Sequence, residues 1–98
     1  MPLLKPSEIA NAASQPWQSV IFAAVGDARV KVLRMDGTSA PEEVHDYNEL
    51  LIVLEGLLVL EISGERVEVH AGEVYLATAG ERHSVLAGSR GTLLIVDK

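Results

Sequence analysis

The chain has 98 residues, close to half of them apolar, which is enough to fill one hydrophobic core and argues against a disordered segment. A net charge of −6 argues against nucleic acid and anionic membrane as partners. Cysteine is absent, which excludes disulfides and thiolate metal sites, and no apolar run approaches the roughly 18 residues of a membrane span.

The chain opens with MPLLKPSEIANAA, which lacks the layout of a secretory signal, so a cytoplasmic location is expected. Residues 1–16 read as an N-terminal lead-in and dimerisation segment. Ser7 is a candidate N-cap for one or two helical turns over Ile9 to Ala13, and the alternative is an edge strand at Leu3-Leu4. From Trp17 onward the pattern is β. Strands are expected over Gln18 to Ala24 and Ala28 to Met35, with a Gly26-Asp27 turn between them and the tight-turn dipeptide Asp36-Gly37 after them. A short strand ends at Val44-His45, the next runs from Glu49 to Leu54, and Glu55-Gly56 separates it from Leu57 to Ile62. Ser63-Gly64-Glu65 makes a hairpin turn into the alternating stretch Arg66 to His70. Strands over Val74 to Thr78, Arg82 to Leu86 and Thr92 to Val96 complete the chain. Short strands about 8–12 residues apart, punctuated by glycine, indicate a single sandwich or barrel. Leu51, Val53, Val59, Val74, Leu76, Val85, Leu94 and Val96 are its expected packing positions.

Polar chemistry is concentrated between Gly37 and Gly56. Glu43, His45 and Glu49 lie within seven residues; Glu43 and His45 share a strand face, and Glu49 joins them if Asp46-Tyr47-Asn48 turns tightly. Carboxylate and imidazole meeting at one point suit a divalent cation. Of the three histidines, His70 sits by a turn and reads as exposed, while His83 follows a second glycine turn. Trp17 reads as a packing anchor at a barrel edge or subunit interface. Tyr47 sits at the barrel mouth or on the surface, and Tyr75 packs in the core. Arg34 and Arg82 read as solvated strand positions, the alternative being that they face a pocket and pair an anionic substrate.

The spacing of these residues resembles the cupin superfamily. Its first motif, G-x5-H-x-H-x3,4-E-x6-G, is matched interval for interval by Gly37, Glu43, His45, Glu49 and Gly56, with Glu43 in place of the first histidine. Its second, G-x5-P-x-G-x2-H-x3-N, is matched by Gly72, Thr78, Ala79, Gly80, His83 and Ala87, with Thr78 and Ala87 replacing the proline and the asparagine. The resemblance implies an all-β, antiparallel, double-stranded jelly-roll barrel over residues 17–98. By position it implies metal ligation by Glu43, His45, Glu49 and His83. The cofactor is then a divalent ion such as Mn, Fe, Ni or Zn, and the partners a small-molecule ligand and a second copy in a homodimer. Glu43 has three readings: fourth ligand, free acid or base beside a two-histidine, one-carboxylate set, or member of a metal-free barrel. Isomerase, dioxygenase and lyase chemistry all occur on this fold, as do binding and sensing modules without turnover, so the resemblance implies fold more narrowly than reaction.

Overall fold

A computed structural model describes residues 2–98, and the glycine-punctuated pattern becomes eight strands behind one short helix. Helix α1 spans Pro6–Ala12, and the strands are β1 (Val20–Val25), β2 (Ala28–Asp36), β3 (Ala40–Glu43), β4 (Glu49–Ile62), β5 (Glu65–His70), β6 (Val74–Ala77), β7 (His83–Val85) and β8 (Arg90–Asp97). Pro6 occupies the first turn of α1, where its missing N–H costs nothing. Ser7 is therefore not the N-cap: Lys5 stands there, with no capping side-chain bond. The other end of α1 is held by Arg34 on β2, whose guanidinium donates to the carbonyls of Ala10 at 3.0 Å and Ala13 at 3.2 Å. These are helix-terminal carbonyls, and that of Ala10 also accepts from the Ala13 N–H at 3.2 Å. Leu3 and Leu4 form no strand and are exposed.

All eight strands join one antiparallel sheet that curls into a jelly-roll barrel, with the order β1-β2-β8-β4-β7-β3 and with β5 and β6 also on β4. Strand β4 organises it. Leu50 to Ile52 pair with both β6 and β8, and Leu60 to Ile62 with both β5 and β7. Leu57 pairs with His70 of β5 and Arg90 of β8. One edge of β4 thus carries β6 then β5, and the other carries β8 then β7.

The expected break at Glu55-Gly56 is a bend inside a continuous strand. The pairing with β8 slips between Val53 and Glu55, and Gly56 then faces Gly91. Both glycines have positive φ, 85° and 103°. A Cβ on Gly56 would sit 2.0 Å from the Arg90 carbonyl oxygen, and one on Gly91 2.0 Å from that of Glu55. Only glycine permits this backbone approach. The slip also changes which side chains face inward, since a one-residue shift exchanges the faces of a strand. Leu51 and Val53 enter the core before the bend, and Leu58 and Leu60 after it, joined by Leu33, Met35, Val69 and Leu93. Val59, expected in that set, is buried elsewhere, under the loop after β7: its N–H donates to Ser89 Oγ and its carbonyl accepts from Leu86 N–H. Val74 and Leu76 point outward and are about half exposed, because the inward face of β6 is that of Tyr75 and Ala77.

Substituting Gly56 or Gly91 with alanine is expected to lower the unfolding free energy by roughly 2–4 kcal/mol, from clash and left-handed strain together. Gly64→Ala, at φ 80° but in open space, is expected to cost about 1 kcal/mol. Denaturant titration of the three variants measures the contrast, and equal losses would remove the close approach as its cause.

Candidate functional site

Glu49 is the first residue of β4 and shares the inward face of Leu51 and Val53, which leaves its carboxylate buried. His83 opens β7 opposite Glu43, the last residue of β3. The short strand expected through Val44-His45 stops at Glu43, so His45 sits in the loop between β3 and β4 rather than on a strand. Two bonds tie that loop to the one before β7: Gly80 N–H donates to the His45 carbonyl at 2.8 Å, and Ala79 N–H to Asn48 Oδ1 at 2.9 Å. The two motif segments, far apart in sequence, are thereby held side by side.

All four predicted site residues converge. Glu43, His45, Glu49 and His83 each offer a ligand atom, and these atoms lie within 4.8 Å of one another. Glu49 bridges the imidazoles, with Oε1 3.4 Å from His83 Nε2 and Oε2 3.9 Å from His45 Nε2. Glu43 Oε2 stands 3.2 Å from the same His45 nitrogen, with its side chain more than half exposed. His83 Nδ1 lies 3.3 Å from the Glu81 carbonyl, a contact that leaves Nε2 facing the cluster. The Glu81 loop is in turn fixed by the Tyr75 hydroxyl, which donates to Glu81 Oε1 at 2.6 Å; burial and that acceptor push the Tyr75 phenol up to about 12. The Tyr47 ring stacks on His45 with centroids 4.9 Å apart.

Burial pushes the Glu49 carboxyl above its ordinary value, against the opposing pull of the His45 and His83 imidazoles. A buried carboxylate in that position gains from a cation beside it. Two imidazole nitrogens and two carboxylates, facing one point, can hold a divalent metal ion. Glu43, Glu49 and His83 of the cluster also line a cavity of about 230 Å³ whose remaining walls are apolar, among them Leu33, Leu51, Leu58 and Ile95.

Three other polar candidates stand apart from this centre. Arg34 caps α1, Arg82 pairs with the exposed Glu42 at 3.1 Å, and His70 is exposed beside Glu68 and Glu73. Trp17 lines the cavity, a role its position in the sequence does not signal. Its φ is 64°, its N–H donates to the Arg34 carbonyl at 2.8 Å, and its indole N–H donates to Asp36 Oδ1 at 2.7 Å and lies 2.9 Å from Thr38 Oγ1.

The sequence profile of the cupin domain family matches residues 30–97, from the third residue of β2 to the end of β8. The chain belongs to that family. Among solved structures, this cupin is similar to a cupin-2 domain containing protein from Shewanella frigidimarina, with a TM-score of 0.88 and 22% identity over 97% of this chain and 93% of that one. A protein from Neisseria meningitidis aligns over 98% of both chains with a TM-score of 0.83 and 13% identity. The hydroquinone 1,2-dioxygenase PnpCD, solved in complex with Fe3+, contains a similar barrel, with a TM-score of 0.80 and 16% identity over 91% of this chain and 30% of its own. At such identities the likeness is one of fold. No curated protein is significantly similar to the chain in sequence.

The anchoring of Trp17 carries a pH dependence. The Thr38 hydroxyl, the Trp17 indole N–H and the Thr38 backbone N–H hold the Asp36 carboxyl below its ordinary 3.8. For a depressed carboxylate the stabilisation is present above the unfolded value and is lost as pH falls through the folded one. Thermal unfolding followed by Trp17, the only tryptophan, should therefore show stability falling below pH 3.8, less steeply in Asp36→Asn. Equal slopes in the two proteins would separate Asp36 ionisation from the anchor.

Proposed function

We propose that this cupin binds a divalent metal ion through Glu43, His45, Glu49 and His83 and presents it to a small molecule in the adjoining cavity. The observation that carries the reading is the convergence of four ligand atoms within 4.8 Å, two of them on buried side chains, at one end of an otherwise apolar cavity. Mn, Fe, Ni and Zn all suit two imidazoles with two carboxylates. A bound ion of this kind supplies Lewis-acid polarisation of a ligand oxygen. The chain's own groups do the rest. Glu49 and His83 hold the buried half of the site, the Glu81 carbonyl orients His83, and Tyr47 supports the face of His45. The apolar walls keep water from the ligand's body.

On this reading the protein is a small metalloenzyme, isomerase- or dioxygenase-like. One observation favours a second reading, a binding or sensing module without turnover. Among the described residues lining the cavity, the only acids or bases are Glu43, Glu49 and His83. If all three ligate, none is left for proton transfer. If Glu43 stays free, it is the general base, and its exposure lets it exchange protons with solvent.

Elemental analysis of protein purified without chelators or a histidine tag tests the reading. About one metal ion per chain is expected, lost in His83→Ala and His45→Ala. Loss in Glu43→Ala makes it a ligand, whereas retained metal with lost turnover makes it the base. In thermal unfolding, metal at a hundredfold excess over Kd should stabilise the wild type by about 2.7 kcal/mol and leave His83→Ala unmoved. A wild type that takes up no Mn, Fe, Ni or Zn on reconstitution would overturn the proposal.

A further inference from the structure

We infer that the cavity accepts a ligand with one oxygen-rich chelating end and a flat, uncharged aromatic body, and that Trp17 selects the body. The inference rests on the metal-site reading for the chelating end only. Polarity in the cavity is segregated. Its ionisable lining residues, Glu43, Glu49 and His83, belong to the metal cluster, and the remaining walls are hydrocarbon apart from Trp17. A sugar or other polyhydroxylated body would bury hydroxyls there without partners, which is costly.

Charge narrows the class further. Two carboxylates offset a divalent cation, and no lysine or arginine lines the cavity. Lys31, two residues along β2 from the lining Leu33, is already bound to buried Asp97 at 2.9 Å. A phosphate or a second carboxylate on the ligand would meet no counter-charge. Size sets the scale: an apolar cavity of about 150 Å³ holds a benzene ring, so about 230 Å³ holds one ring with its chelating group.

Trp17 supplies the selectivity. A bulky side chain at φ 64° is an outlier, held by three contacts: its N–H to Arg34, and its indole N–H between Asp36 and Thr38. With that N–H already engaged, the indole offers the ligand only its ring surface. Ring surface favours an aromatic partner beyond the area it buries.

The experiment compares benzohydroxamate with acetohydroxamate, two probes with the same chelating group and different bodies. Binding to Ni2+-loaded and to chelator-treated protein is followed by calorimetry and by the fluorescence of Trp17. Benzohydroxamate is expected to bind the Ni2+ form about tenfold or more tightly than acetohydroxamate and to quench Trp17. Trp17→Ala should reduce the preference to about twofold, and Trp17→Phe should retain most of it. Should Trp17→Ala not fold, Val85→Phe provides the second arm: Val85 lines the cavity, and the added ring should exclude benzohydroxamate while acetohydroxamate still binds. Equal affinity for the two probes in Ni2+-loaded wild type would overturn the inference and leave the metal reading standing. A preference unchanged in folded Trp17→Ala, or, where that variant does not fold, unchanged in Val85→Phe, would overturn it as well. If nickel is not bound, yet benzohydroxamate alone still quenches Trp17 in wild type and not in Val85→Phe, the aromatic pocket stands and the metal reading fails.

Discussion

The backbones of β4 and β8 touch where Gly56 meets Gly91, and the convergence of Glu49 with His83 depends on that contact. Glu49 begins β4, while His83 is paired with Ile62 at its far end. In a straight strand, at about 3.3 Å per residue, those ends would lie some 43 Å apart. Yet the Glu49 carboxylate and the His83 imidazole stand 3.4 Å apart. The bend at Gly56 folds the strand over so that both ends face one interior. It serves packing as well, because the register slip turns Leu58 and Leu60 toward the cavity side occupied by Leu51 and Val53.

Around this bend, the site is assembled by local bonds rather than by strand geometry alone. His45 lies beyond the end of β3 and is positioned by its own carbonyl, which accepts from Gly80. Asn48 takes the N–H of Ala79 and closes the same seam. The loops of the two motifs are thus a single structural unit, and neither histidine depends on a long flexible connection. Electrostatics complements this arrangement. Glu49 is buried and destabilised as an anion, with two imidazoles near enough to share a cation with it, so the local energetics and the donor chemistry favour the same occupant.

Part of the cavity wall, Trp17, Leu33, Leu93 and Ile95, comes from outside the motifs. Trp17 is held by β2 and by the turn after it, and Arg34 of β2 also holds the end of α1. The segment between α1 and β1 therefore supplies part of the cavity wall through Trp17, and Arg34, Asp36 and Thr38 keep that wall in place. The four clustered side chains all come from the two motifs, whereas the apolar walls draw on residues both inside them, such as Leu51 and Val85, and outside them, such as Trp17, Leu33 and Ile95.

Much of the protein was legible in the amino-acid sequence. Alternating apolar runs between glycine turns determined an all-β barrel, and the intervals among Glu43, His45, Glu49, Gly80 and His83 determined which side chains meet, because spacing along strands and turns is local information. The inward face of β4 was not legible. A one-residue slip at Val53–Glu55 reverses the alternation, and nothing in LIVLEGLLVL distinguishes a glycine that ends a strand from one that bends it. For the same reason Leu58 and Leu60 were not expected in the central cluster that they fill, while Val59 is buried apart from it; on β6, Val74 and Leu76 were expected inside but face outward. Nor could the sequence place Trp17 against the cavity or Tyr47 on His45, since both are contacts across the folded molecule. Periodicity and spacing, which are properties of neighbouring residues, determined the fold class and which four side chains converge. The pairing of Gly56 with Gly91 and the anchoring of one indole, which exist only once distant segments meet, decided where the cavity lies and what lines it.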